Sequence, residues 1–264
     1  MKALIQFMVV AGLFLGLWFG LSKVNWIERF HIRQFTEKKQ KQLGDWIIKM
    51  QRTEKNEVTD KQKLAAINKI VSRIAVANKL DTGDLHIFIF RDEMINAFAL
   101  PGGNIIVNTA LIDACDNPDM LAGVLAHEIA HVAYGHVNSK LAREIGLSTL
   151  AAASGDNLGI LKQILKTLAS TKFDREQEAQ ADRIAVRYLK KSNIDPSQFG
   201  YFMNYISTAD DDQPKAMEWI STHPNAAERA KKIIGETTSG RKYEPSLDNE
   251  SWRILQGRSA TEVN

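Results

Sequence analysis

From Leu121 to Ala133 the chain is apolar on nearly every side of a helix. Leu121, Val124, Leu125, Ala126, Ile129, Ala130, Val132 and Ala133 leave it no solvent face, so this helix belongs inside the molecule. Into it are set His127, Glu128 and His131. Two imidazoles and a carboxylate in a buried helix are costly unless something satisfies them. Residues four apart share a helix face one turn apart, so His127 and His131 can grip one ion. Glu128, about 100° further round, can reach a water on that ion. The H-E-x-x-H pattern is that of zinc peptidases, with two histidine ligands and a glutamate general base. Other elements must therefore wrap this helix, and one of them must bring a third protein ligand, because such sites keep the fourth position for water.

The 264 residues suffice for one catalytic domain of ordinary size plus appendages. Composition is globular, and a net charge of +3 is too small to argue for a nucleic-acid partner. The single cysteine, Cys115, excludes an intrachain disulfide framework and leaves the site to be built from His and carboxylates.

Ala3 to Ser22 is an uncharged stretch bracketed by Lys2 and Lys23, long enough to cross a bilayer as a helix. No small-x-small cleavage site ends it, and Trp18 and Trp26 suit the interface, so residues 1–22 are expected to be an uncleaved transmembrane anchor. Lys23, Arg29, Arg33, Lys38, Lys39 and Lys41 follow the span and only Lys2 precedes it. Taken literally, that balance would keep the following domain cytoplasmic. Residues 23–60, rich in Lys, Gln and Glu, read as a juxtamembrane helix or stalk with a solvated charged face. Residues 61–236 would form the metallopeptidase domain, and the polar stretch 237–264 a loosely ordered tail.

Within the domain, Leu64, Ile67, Ile70, Val71, Ile74 and Ala75 recur at helical spacing over Lys61–Lys79. Leu85–Phe90 reads as a strand. Ile95–Leu100 and Asn104–Asn108 read as two more, joined by a turn at Pro101-Gly102-Gly103. A free hairpin edge beside a zinc helix could accept substrate as an added strand, or the hairpin could be purely structural. Asp116 or Asn117 can cap the zinc helix, Pro118 suits its first turn, and Gly135 can terminate it. Leu141–Ala153 reads as helical, and Asn157–Ala169 as an amphipathic helix, either a lid or membrane-facing element or a packed surface helix.

Three residues compete for the third ligand. His136 would sit about 180° from His127 on a continuous helix. It also misses the longer H-E-x-x-H-x-x-G-x-x-H pattern, because Tyr134 and Val137 stand where glycine and histidine are needed. It therefore reads as a residue behind the ligands or at the surface. Glu178 lies on a second strongly helical stretch, Phe173–Lys190, and shares a face with Asp182, which could orient a ligand histidine through its free ring nitrogen. The same two acids could instead be solvated charges. His223, before a helix that Pro224 can open, could stabilise an oxyanion or cap the metal.

Taken together, HEIAH, then Glu178-Ala-Gln-Ala-Asp182, then Thr222-His223-Pro224 and Arg229 resemble peptidase family forty-eight of the metallopeptidases, over roughly residues 60 to 235. The compact single-anchor layout looks closer to its BepA, LoiP and OMA-type branch than to its multi-span members. The resemblance implies a mainly α fold with a small β-sheet (α+β), a gluzincin-like domain behind the N-terminal helix. It implies one zinc ion held by His127, His131 and Glu178, with Glu128 as general base. Asp182 would support the ligands from behind, and His223 would be a transition-state stabiliser or regulatory plug. Asn96–Val107 is similar to the family's active-site edge strand, which makes Asn96, Ala97, Phe98, Gly102 and Gly103 the candidate substrate-binding residues. The implied activity is hydrolysis of peptide bonds in protein substrates, commonly membrane or envelope proteins under quality control. It also turns the expected location of the catalytic domain to the extracytoplasmic side. A non-catalytic, membrane-tethered client binder using the same cleft is the alternative function.

Overall fold

The computed structural model describes residues 37–146, 157–208, 217–237 and 240–258, with a few helical residues between 6 and 18. Two helices open the described part, α1 (Glu37–Glu54) and α2 (Lys61–Asn78). The Asp60 side chain accepts from the Gln62 and Lys63 amides and starts α2, whose Ile67, Ile70 and Ile74 are wholly buried. Three strands follow: β1 (His86–Phe90), β2 (Ala97–Ala99) and β3 (Asn104–Asn108). The expected hairpin is present as β2 and β3, but β3 is the middle strand, antiparallel to β2 and parallel to β1. Glu57 bridges the far side of β1, and the Val58 amide donates to the Ile89 carbonyl. That leaves β2 as the edge facing the rest of the site.

The turn between β2 and β3 holds Gly102 at φ 75° and Gly103 at φ 78°. A Cβ on Gly103 would lie 1.7 Å from the Asp84 carbonyl oxygen, and one on Gly102 would lie 2.6 Å from Lys41 Cα. Packing against α1 and the start of β1 thus requires glycine at both places, which gives these two candidate substrate-binding residues a role in the fold.

After a short α3 (Thr109–Ala114) comes the central helix α4 (Pro118–Ala133), buried from Met120 to His131. Asn117 Oδ1 accepts from the Asp119 and Met120 amides, and Pro118 fills the first turn. Gly135, at φ 67°, ends the helix, and the chain restarts as α5 (His136–Glu144). The apolar stretch expected to be helical from Leu141 is helical to Glu144, and residues 147–156 lie outside the described residues. The amphipathic stretch forms α6 (Leu158–Ser170), capped by Asn157, with Leu161, Ile164 and Leu168 turned inward toward α5 and β2. The acid-to-base gradient of the second site helix becomes α7 (Arg175–Lys191), opened by a reciprocal capping box between Asp174 and Gln177. α8 (Ser197–Ser207), α9 (Met217–Thr222), α10 (Ala226–Thr237) and α11 (Asn249–Gln256) complete a mainly helical fold with one small mixed sheet. Helices α2, α7 and α8, strand β2 and the β2–β3 turn all touch α4.

Two stretches differ from the sequence expectation. Helix α1, read as part of a solvated stalk, buries Leu43, Ile47, Ile48 and Met50, and the compact unit begins at Gln40. The C-terminal stretch is not loose throughout, because α11 lays Trp252 and Leu255 onto the fold beside α2. Its high content of polar residues hid an apolar face only two side chains wide. Most of the expected anchor lies outside the described residues, and among those described no helix is long and apolar enough to cross a membrane.

Candidate metal centre

Helix α4 presents His127 and His131 on one face, and α7 presents Glu178 and Asp182 against it. The segment after α9 brings His223 into the same space. One donor atom from each of His127, His131, Glu178 and His223 lies within 4.8 Å of the others, and all four side chains are buried. His127 Nε2 is 3.0 Å from His131 Nε2 and 3.2 Å from His223 Nδ1. Glu178 Oε1 is 3.0 Å from His223 Nδ1 and 3.4 Å from His131 Nε2.

The outward ring nitrogens decide what the inward ones are. His127 Nδ1 faces Asp182 Oδ1 at 3.1 Å, and His131 Nδ1 faces His136 Nδ1 at 3.0 Å. Burial lowers the proton affinity of both rings, His131 to a pKa of about 3, so each carries one proton. For His127 that proton belongs on the nitrogen beside the carboxylate. Its Nε2 then points a lone pair into the cluster, toward the Nε2 of His131 and next to a carboxylate. Lone pairs and an anion converging among buried side chains fit a bound cation, and three nitrogens with one carboxylate oxygen are donors that zinc takes.

The two buried glutamates are driven apart. Burial and the Glu178 charge raise the Glu128 carboxyl well above the usual range, against a hydrogen bond from the Ala99 amide at 3.0 Å. Burial acts on Glu178 in the same sense. There, however, His223, the neighbouring His131 ring and Arg229 together outweigh it and hold the carboxyl well below its usual range. One carboxyl is thus set to exchange a proton and the other to stay anionic, which are the needs of a base and a ligand. Burial would raise Asp182, but the two bonds from Arg229, at 2.8 and 2.7 Å, its charge and the His127 ring together hold it down to about 2. Arg229 also pairs with Glu178.

Sequence reasoning assigned no role to four residues placed here. Arg229 ties Asp182 to Glu178. Phe173 stacks on His131 with ring centroids 3.9 Å apart, and Trp219 stacks on His223 at 4.6 Å. Gln180 receives His136 Nε2 at 2.9 Å. Arg229 and Gln180 lie in stretches that carry the family resemblance, but no local pattern states what any of the four touches, because each acts on an element distant in sequence. His136 stands behind the ligands, buried, and the break at Gly135 is what turns it there from the far side of a continuous helix.

On the substrate side, pairing fixes the direction of β2. The Leu100 amide donates to the Asn104 carbonyl, and Asn108 donates to the Asn96 carbonyl, so even-numbered residues face β3. The odd residues, Ala97 and Ala99, turn their amides to the other edge, where Ala99 meets Glu128. Phe98 lines a cavity of about 440 Å³ between α1, the sheet and α6, with Met94, Leu165 and Ala169. Asn96 is buried, and its side-chain amide has no hydrogen-bond partner.

A buried H-E-x-x-H helix, a carboxylate donor from a second helix and an edge strand against the glutamate define a zinc metallopeptidase domain. The chain belongs to peptidase family M48, whose model matches residues 61–237. It is 30% identical over 196 residues to a mitochondrial metalloendopeptidase OMA1 of Schizosaccharomyces pombe, an alignment covering 72% of this chain and 58% of that protein. It is 30% identical over 202 residues to a beta-barrel assembly-enhancing protease of Yersinia pestis, covering 69% of this chain and 40% of that protein. A metalloprotease LoiP of Escherichia coli is 28% identical over 167 residues, covering 60% of this chain and 65% of its own. The chain therefore spans about half the length of the first two relatives.

Proposed function

We propose that the protein is a membrane-anchored, zinc-dependent metalloendopeptidase that cleaves protein substrates in membrane or envelope protein quality control. The observation that carries the hydrolytic reading is the position of Glu128. One of its oxygens accepts from the edge-strand amide of Ala99, and the other lies 3.4 Å from His223 Nε2, beside the convergent donors.

His127, His131 and Glu178 would hold the zinc, with Asp182 orienting His127. Zinc, when bound, supplies Lewis acidity at the scissile carbonyl and makes the attacking water easier to deprotonate. Glu128 accepts that water's proton and passes it to the leaving amine, a task its raised proton affinity suits. A substrate segment adds as a strand along β2, bonded to main-chain groups of Ala97 and Ala99. On this reading the Asn96 amide and Phe98 would contact it, and the glycine turn 102–103 would close the end of that edge. His223 sits among the donors in the closed site. Moved aside by substrate, it can donate a hydrogen bond to the oxyanion of the tetrahedral species. His127, Glu128, His131 and His223 all have 0% exposure, so substrate reaches them only after the elements over them part.

Anchoring is supported by the uncharged stretch Ala3–Ser22. An extracytoplasmic site of action and a quality-control role rest on the relatives, one named mitochondrial and another beta-barrel assembly-enhancing. Protease accessibility of the catalytic domain in right-side-out and inverted vesicles tests the orientation: protection in right-side-out vesicles would place it in the cytoplasm. Casein hydrolysis by the wild-type chain and by Glu128→Gln tests the activity. Cleavage by the first and about 10²–10⁴-fold less by the second is expected. A zinc-loaded wild type that cleaves nothing would leave the client-binding alternative.

A further inference from the structure

Each of the two histidines on α4 has a partner at its outward nitrogen, and the two partners differ. Behind His127 stands a carboxylate, Asp182, itself held by Arg229. Behind His131 stands a second imidazole, His136, followed by an amide: His131 Nδ1 to His136 Nδ1 is 3.0 Å, and His136 Nε2 to Gln180 Oε1 is 2.9 Å. His136 is 4% exposed and reaches this place because Gly135, in the left-handed region, restarts the chain as α5. Gln180 comes from α7, between Glu178 and Asp182 in sequence.

We infer that His136 and Gln180 form a positioning relay for His131, fixing which of its nitrogens faces the metal. The order of donors follows from the endpoints. An amide carbonyl oxygen can only accept, so His136 Nε2 carries the proton and gives it to Gln180. With the Nε2 proton pointing to Gln180, His136 turns Nδ1 to His131 at 3.0 Å as the acceptor for His131 Nδ1–H. His131 is left with its lone pair on Nε2, the nitrogen that lies 3.0 Å from His127 Nε2 and 3.4 Å from Glu178 Oε1. The relay behind His131 ends in an amide, whereas the group behind His127 is a carboxylate. The site therefore keeps its ligand histidines oriented without placing a second carboxylate behind the metal.

The inference rests on His131 being a metal ligand, and the experiment separates the two. Zinc affinity is measured by competition with a chromophoric chelator on the full chain, with the visible spectrum of the cobalt-substituted protein alongside. His131→Ala serves as the control for the ligand itself: wild-type affinity there would remove the premise. His136→Leu is expected to weaken zinc about 10–100-fold and to shift the cobalt bands, the range typical for loss of such a partner. Gln180→Leu, at a partly exposed position with low risk to folding, should shift the same bands with a smaller loss. His136→Asn retains an acceptor oxygen toward His131 Nδ1 and should recover most of the affinity. Wild-type affinity and spectrum in both leucine variants would overturn the relay. So would a His136→Asn protein as weak as His136→Leu, since the effect would then be one of packing alone.

Discussion

At single residues, charge and its neighbours divide the work. Glu128 and Glu178 are both buried within a few ångströms of His223, yet they differ in proton affinity because Glu178 also touches His127 and His131 and pairs directly with Arg229. Replacing Arg229 with Leu leaves Asp182 and Glu178 buried without their cation. Unfolding should become easier by about 3–5 kcal/mol, read from denaturant melts, as for other broken buried pairs. Lys140 makes a pH prediction. Burial lowers its pKa to about 8, while its Nζ donates to the Leu168 carbonyl at 3.0 Å and lies over the Phe173 ring. The folded state binds this proton less tightly than the unfolded chain. The cost is therefore present in full below about pH 8 and is relieved as pH rises toward 10.5, the unfolded value. Wild type should gain stability relative to Lys140→Met over that interval, on the order of 2–3 kcal/mol, in melts taken across pH. The motif residues were legible at this scale because H-E-x-x-H is local. Arg229, Phe173, Trp219 and Gln180 were not, because their roles exist only once separate elements are in contact.

Among the elements, α4 depends on how closely its neighbours approach. A Cβ on Gly123 would lie 2.4 Å from Phe199 Cβ and 2.8 Å from its Cα. Gly123→Ala should therefore cost about 1–3 kcal/mol despite its better helix propensity, measured by thermal denaturation. The edge strand offers a test that separates binding from folding. The Ala97 amide points away from β3, and proline is tolerated in edge strands where no ladder bond is lost. Ala97 is wholly buried, so folding and zinc content of Ala97→Pro are checked first; in the folded, zinc-loaded variant KM for casein should rise, and an unchanged KM would argue against strand addition. Periodicity made α2, α4, α6 and α7 readable to within a few residues of their observed ends, and turn glycines located the hairpin. Strand order was not readable, since nothing in the sequence of Leu85–Phe90 states that β3 would lie between it and β2.

For the whole molecule, the boundaries of the folded unit lie further out than composition suggests. Leu43, Ile47 and Ile48 at one end, and Trp252 and Leu255 at the other, are buried in segments whose average character is polar. Removing the chain after residue 239 should lower the melting temperature by several degrees, since it uncovers the α2 surface beneath α11. Above all, His127 and His131 on one helix and Glu178 on another are proposed to hold a single zinc ion. The most direct test is the zinc content of purified wild-type and Glu178→Ala protein, by elemental analysis at matched folded concentration. One zinc per wild-type chain is expected, with most of it lost in the variant. Full retention in Glu178→Ala, or a folded wild type that binds no zinc, would contradict it.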